Sequence, residues 1–368
     1  MQVVSIISTK GGVGKTTTAA NLGGFAADTG LRVLLLDLDV QPTLSSYFTL
    51  AERAPAGIYE MLAYNEQRAE QLVSRTAIER LDLVLSNDDR GELNTLLLHA
   101  PDGRLRLRHL LPTLAPHYDL LLIDTQGARS VLLEMAVLAS NLALSPVTPE
   151  ILAARELRRG TLQLIEDIAP YRHLGIEPPP LHLLINRVHP VSSNARLIQQ
   201  ALRQVFQEQP GVRVLDTDVP AIEAYQRAAT RGLPVHRVEY RQPAGRTAPA
   251  ALETMRALAG ELFPAWQERF ALVTGRGDAG GPAMASAHDL ARGHKRLRGL
   301  IEFALGEGWK VVRTRGGHLL FTKQGCAPIY TSSTASDHRA ERNARAQLRR
   351  ADRQAAQGVA ASQENGRG

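Results

Sequence analysis

Lys10-Gly11-Gly12-Val13-Gly14-Lys15-Thr16-Thr17 stands between an apolar run at residues 3–7 and a segment of helical spacing at residues 17–29. In a strand, glycine-rich loop and helix taken in that order, successive backbone N–H groups converge on phosphate oxygens, and the helix N-terminus adds favourable partial charge. Gly11, Gly12, Val13 and Gly14 then cradle the phosphates while Lys15 reaches the β- and γ-phosphates. The Thr16 hydroxyl completes the shell of a Mg2+ ion, with Thr17 beside it at the helix start. The segment predicts Mg-ATP as the bound cofactor. One residue departs from the strict pattern: Thr9 occupies the position, six before Lys15, where glycine is usual.

Outward from the loop, residues 33–36 and 120–123 are short, apolar throughout and followed by polar residues, as buried parallel strands are. Residues 83–85, 142–145, 181–185 and 212–215 are further strand candidates. Between them the spacing is helical, as at Leu157, Leu162, Leu164 and Ile165. Strands alternating with helices imply right-handed crossovers and an α/β fold with a doubly wound, mainly parallel sheet. A helix over 248–262, ended by Pro264, closes a domain spanning 1–270.

Residues 271–287 have the Gly/Ala/Pro composition of a flexible linker. Beyond it a small α+β domain is expected over 288–352, in the order αβββα: a helix at 290–305, a hairpin of 309–313 and 318–322 turned at Arg315-Gly316-Gly317, a strand at 329–331 and a helix at 339–350. Residues 353–368 have the composition of a disordered tail.

The chain of 368 residues, 44% of them hydrophobic, is long enough for one large and one small core. It opens without a basic, cleavable leader and holds no apolar run of membrane-span length, and its single cysteine, Cys326, excludes a disulfide framework or a paired-cysteine metal site. A cytoplasmic location is expected. Of a formal charge of +6, the stretch from His288 to Arg350 carries 13 Lys/Arg against 5 Asp/Glu. A basic concentration of this kind meets a polyanion or forms a solvated face.

The string Lys-Gly-Gly-Val-Gly-Lys-Thr-Thr, with Lys10 directly before the glycine pair, resembles the deviant Walker motif of the ParA/MinD ATPases. The resemblance covers roughly residues 1–264. It implies that Lys10 crosses a dimer interface to contact phosphates held by the partner subunit. Leu35-Leu36-Asp37-Leu38-Asp39 resembles the strand and switch in which the first aspartate, Asp37, supports the metal site and the second, Asp39, orients the attacking water. A carboxylate just past a buried strand, beside the phosphates, is where phosphoryl transfer needs one. Leu120 to Asp124 has the form of a Walker B strand, with Asp124 holding Mg2+ through a water. Asn186 and Pro220 fall in segments similar to the family's adenine side, where an Asn reads the base and a proline loop lines its pocket. Two departures stand out: Val40-Gln41-Pro42-Thr43 replaces the usual continuation of the switch, and Thr125-Gln126-Gly127-Ala128 replaces a frequent proline pair.

Absences sort the relatives. Residues 339–350 lack the wide apolar stripe of a MinD-type membrane helix, iron–sulfur relatives need paired cysteines, and the related tyrosine kinases carry a tyrosine cluster absent after Tyr330. The partition branch remains, and it implies an ATP-bound homodimer on non-specific DNA, hence nucleoid association, released by a ParB-like partner. Arg227, Arg231, Arg237 and Arg241 are candidates for the DNA surface, or an ordinary solvated face. Alternatives are an accessory ATPase of conjugation or replication and a nucleotide-dependent scaffold with vestigial hydrolysis. Residues 308–321 resemble the small HicA-type fold, related to double-stranded RNA-binding domains; the likeness points to His318 for RNA cleavage, or to RNA or DNA binding by Arg292, Lys295, Arg296, Arg298, Arg339, Arg342, Arg345 and Arg349.

Overall fold

A computed structural model describes residues 1–150, 155–189, 193–207 and 209–274, and, within 300–351, chiefly three strands and parts of their flanks. The chain divides into two compact units, Met1–Gly277 and Asp278–Gly368.

In the first unit the central strands are β1 (Gln2–Ile6), β2 (Val33–Asp37) and β6 (Leu120–Asp124), the last two buried at every position. Their uninterrupted apolar runs arise because both faces of the sheet are covered. Val4, Ile6, Leu35 and Leu122 enter one core with the helix α1 (Lys15–Asp28) and the helix Ala251–Leu262. The alternate residues Val3, Leu34, Leu36, Leu121 and Ile123 enter another, beneath the helices Ile58–Ala63, Glu92–His99, Arg106–Leu114 and Val131–Leu138. A period of two is thus present inside an unbroken hydrophobic run, each half packing a different helical layer.

The remaining strands are β3 (Leu50–Glu52), β4 (Val73–Thr76), β5 (Leu81–Val84), β7 (Leu142–Val147), β8 (Leu181–Val188), β9 (Val212–Val214) and β10 (Val219–Pro220). Their order is β10-β8-β7-β1-β6-β2-β5-β4-β3, with β9 also paired to β8. Pairing is parallel except at β3–β4 and β4–β5. The sheet is therefore doubly wound and mainly parallel, with an antiparallel margin that the apolar runs did not disclose. The expected helix over 157–165 is a π-helical turn, Leu157–Leu162, continued by an α-helix, Gln163–Asp167. The helix expected from 248 begins at Ala251, where the Glu253 carboxylate accepts the Ala250 N–H at 3.2 Å.

In the second unit β11 (Lys310–Arg313), β12 (Leu319–Thr322) and β13 (Ile329–Thr331) form an antiparallel sheet in that order. Leu300, Ile301, Ala304, Trp309, Val311, Leu319, Phe321 and Leu348 make its buried core. Residues 300, 301, 303, 304 and 346–348 are helical. His318, the Arg315–Gly317 turn, the eight basic candidates from Arg292 to Arg349 and most of the expected linker lie outside the described residues.

Candidate functional site

Three neighbouring strands deliver the site. β6 pairs with β1 and β2 in a register that sets Asp124 opposite both Ile6 and Asp37. The glycine-rich loop, Asp124 and Asp37 consequently emerge side by side at the carboxyl ends of the strands, where open α/β sheets bind ligands. Gly14 turns the loop into α1 with φ 97°, a left-handed conformation open to glycine, and accepts the Thr18 N–H at 2.9 Å and its hydroxyl at 2.8 Å. Lys15 opens the helix and is only 7% exposed. Burial lowers its pKa, opposed by the nearby charges of Asp124 and Asp39.

The carboxylates differ in how their oxygens are used. Asp37 is fully buried and accepts three hydrogen bonds from its own loop: the Asp39 N–H at 3.2 Å, the Ser45 N–H at 2.8 Å and the Ser45 hydroxyl at 2.7 Å. Burial pushes its pKa up to about 6 against those donors. Asp124 is equally buried, and its pKa rises to about 7, chiefly by desolvation, with the Thr16 hydroxyl pulling it down and Asp37 adding to the rise. Its Oδ1 accepts the Thr125 N–H at 3.1 Å, whereas Oδ2 has no hydrogen-bond partner of good geometry. A buried carboxylate oxygen without a donor, beside Thr16 and Lys15, suits a cation-bound water. Asp37, by contrast, is occupied in shaping the segment that carries Asp39. Among the described residues no three His, Cys, Asp or Glu side chains converge on one point.

Lys10 lies at the mouth of the loop, its Nζ 3.2 Å from Glu150 Oε2 and 3.2 Å from Glu156 Oε2. Burial works against its charge, but the two glutamates raise its pKa. Thr9, the departure from the usual pattern, faces Gly160 of the π-helical turn, where a Cβ would come within 1.8 Å of the Thr9 hydroxyl. The larger residue in the loop is thus matched by a missing side chain opposite. The segment after β6 also touches the loop directly: a Cβ on Gly127 would lie 2.7 Å from the Gly11 Cα.

Behind the loop a cavity of about 600 Å³ opens between α1, the ends of β8 and β10, and the helices Ala224–Arg231 and Ala251–Leu262. Gly14 and Thr17 border it, and Asn186 and Pro220, far apart in sequence, share its wall. Sequence reasoning missed Glu150 and Glu156 as the partners of Lys10. It also missed Glu223 and Gln226 on the cavity wall. Glu223 caps, and Gln226 lies within, a helix whose buried Ala224 and Ala228 mark its packed face, and both are exposed.

Residues 1–173 match the protein family described as an AAA domain. The chromosome partitioning protein ParA of Myxococcus xanthus is 32% identical over 161 residues, 44% of this chain and 56% of that one. The Cyanothece McdA–ATP complex superposes with a TM-score of 0.60 at 20% identity, covering 74% of this chain and 97% of that one. A Mycobacterium smegmatis structure described as cobyrinic acid a,c-diamide synthase with bound ATP analog and magnesium has a TM-score of 0.57 at 25% identity, covering 73% and 96%. The first unit resembles the ParA/MinD-like P-loop ATPases in sequence and fold.

The surface of this ParA/MinD-like unit narrows one expectation. Arg237 is bidentate to Asp28, and Arg227 is 3.7 Å from Glu239, so both are engaged within the chain. Arg231 and Arg241 are exposed and have no carboxylate partner among the described residues. No described helix is long and apolar enough to cross a membrane.

Proposed function

We propose that the chain binds Mg-ATP, dimerises on doing so, binds DNA without sequence preference, and hydrolyses ATP to ADP and phosphate to partition a plasmid, chromosome or integrative element. The observation that carries this reading is the grouping of a buried Lys15, an Asp124 oxygen with no hydrogen-bond partner of good geometry and the part-exposed Asp39 around one glycine loop. When bound, Mg-ATP supplies the phosphoanhydride and a divalent charge that neutralises its oxygens. The chain's own part is positional and electrostatic. The N–H groups of 11–16 and the Lys15 ammonium hold negative charge, Thr16 and Asp124 fix the metal's water shell, and Asp39 orients the attacking water. Lys10 serves the partner's nucleotide.

Arg231 and Arg241 contribute to the DNA surface of the dimer, and a ParB-like protein stimulates hydrolysis and release. Counterion release makes such binding steeply salt-dependent. Co-sedimentation with DNA across a salt series, with and without ATP, tests the reading. ATP-dependent binding that weakens as salt rises supports it; no ATP-dependent binding at low salt overturns it.

A further inference from the structure

Thr9 and Lys10 lead into the phosphate loop alongside the helical run 155–167, and both meet it at its π-helical turn, Leu157–Leu162. Glu156, whose carboxylate pairs with the Lys10 ammonium, is the residue just before the turn, and Gly160 lies inside it. A Cβ on Gly160 would fall 1.8 Å from the Thr9 hydroxyl oxygen, 2.7 Å from the Thr9 Cβ and 3.1 Å from its Cγ2. The threonine side chain therefore occupies the place of the side chain that Gly160 lacks. Glycine is among the poorest residues for a helix interior, and here only glycine admits so close an approach.

A second observation is independent of that contact. Ser8, Thr9 and Lys10 line a narrow cleft with Pro146 and Val147 of β7 and with Glu156 and Leu157. Within it the Lys10 N–H donates to the Ser8 hydroxyl at 3.1 Å, while Nζ lies 3.2 Å from Glu156 Oε2. Both ends of the lysine are thus held beside the seated threonine. The turn itself is a fixed surface, because its end residues Leu157 and Leu162 are buried in one core. Single π-helical turns inside α-helices are frequent at functional sites.

We infer that Thr9 and Gly160 are a positioning pair for Lys10: the threonine, seated where the turn lacks a Cβ, fixes the backbone from which the lysine reaches Glu156 in the single chain and a partner's phosphates in the dimer. The dimer half of this inference rests on the proposal that Lys10 serves the partner's nucleotide. Displacing residue 9 moves the root of the lysine side chain, whereas the phosphate-binding N–H groups begin beyond it, at Gly11. Lys10 is therefore disturbed more than ATP binding by the same chain.

The test compares the full chain with its Gly160→Ala and Thr9→Gly variants and with the exchange of both. Mass spectrometry reads reductive methylation of Lys10 and Lys15 without nucleotide, and Kd for ATP and ATP-dependent dimerisation are measured beside it. Each single variant, one by a clash and the other by a gap, is expected to speed Lys10 labelling about fivefold and weaken dimerisation about tenfold, with Lys15 labelling and Kd for ATP kept within about twofold. In the exchange the alanine methyl takes the place of the threonine hydroxyl, so most of both losses is recovered. Should Gly160→Ala fold poorly, Thr9→Gly decides alone, since it only empties the seat. Unchanged Lys10 labelling in Thr9→Gly overturns the inference, as do losses in the exchange that equal the sum of the single variants. A parallel loss of ATP affinity also overturns it, because the contact would then support the loop as a whole. Wild-type protein that does not dimerise with ATP sinks the dimer reading alone, because Lys10 labelling in the nucleotide-free chain still decides the role of the pair.

Discussion

Lys10 is ion-paired to Glu156 of its own chain at 3.2 Å, and to Glu150 at the same distance. The residue that the family resemblance assigns to a partner's phosphates is therefore held at home in the single chain. Both glutamates are about half-exposed, and such surface pairs contribute about 0–1 kcal/mol, weak enough for a phosphate to replace. Lys10→Ala should leave ATP binding by the monomer within about twofold while abolishing ATP-dependent dimerisation, whereas Glu150→Gln with Glu156→Gln should tighten the dimer by up to about fivefold. Analytical ultracentrifugation with a slowly hydrolysed ATP analogue reads both; a Lys10→Ala variant that still dimerises returns the lysine to a turn residue.

The unequal use of the carboxylates predicts unequal losses. Asp39→Ala should bind ATP normally yet hydrolyse it about 100-fold more slowly, since only the orientation of water is removed. Asp124→Asn should instead lose Mg2+ dependence of nucleotide binding. Asp37→Asn should lower thermal stability as well as turnover, because three hydrogen bonds shaping residues 38–45 converge on that side chain. Phosphate release, titration with Mg2+ and thermal melting separate the three variants. Equal melting temperatures for the Asp37 and Asp39 variants would contradict the structural assignment of Asp37.

Gly127 and Gly11 are in backbone contact, so a methyl group on Gly127 has no flexible neighbour to displace. Gly127→Ala should cost about 1–3 kcal/mol by overpacking, partly in stability and partly in nucleotide affinity. Calorimetric titration and urea denaturation would measure the two shares; a variant unchanged in both would mean the loop moves aside freely.

Acid should destabilise the fold through the far end of α1. His236 is fully buried, 2.7 Å from Asp28 and edge-on to Phe25, and burial holds its pKa below 6.5 despite the carboxylate. Asp28 is depressed below 3.8 by Arg237 and His236, outweighing its own burial. The His236 contribution is fully present above pH 6.5 and lost as pH falls toward the lower folded value, because the unfolded ring takes up the proton first. Asp28 acts in the same direction at lower pH, its share present above 3.8 and lost as pH falls through its folded value. The urea midpoint should therefore drop between about pH 7 and about pH 5 in the wild type and drop less in His236→Phe. An equal drop in both would assign the acid sensitivity elsewhere.

The core of the fold was legible because β1, β2 and β6 are short apolar runs followed by polar loops. The period of two inside them was hidden, since both faces are apolar and only packing separates Leu34 from Leu35. β3 and β4 were missed because they are only three and four residues long and carry the exposed charges Glu52 and Arg75 in place of an apolar run, although Ser74 and Thr76 of β4 are buried. The loop, Asp39 and Asp124 were singled out by spacing and position, and the structure brings them to the same end of the sheet. Glu150, Glu156 and the Val13 partner of Asn186 were not, because each contact joins residues more than 130 positions apart and no local pattern encodes it.

The sheet's margins limit how copies of this chain can associate. One side ends on β3, three residues long with Ala51 and Glu52 turned to solvent, and the other on β9 and β10, of three and two residues. Stretches that short offer too few free amide and carbonyl groups to template a neighbouring molecule's strand. Continuing this sheet from one molecule into the next is thereby disfavoured.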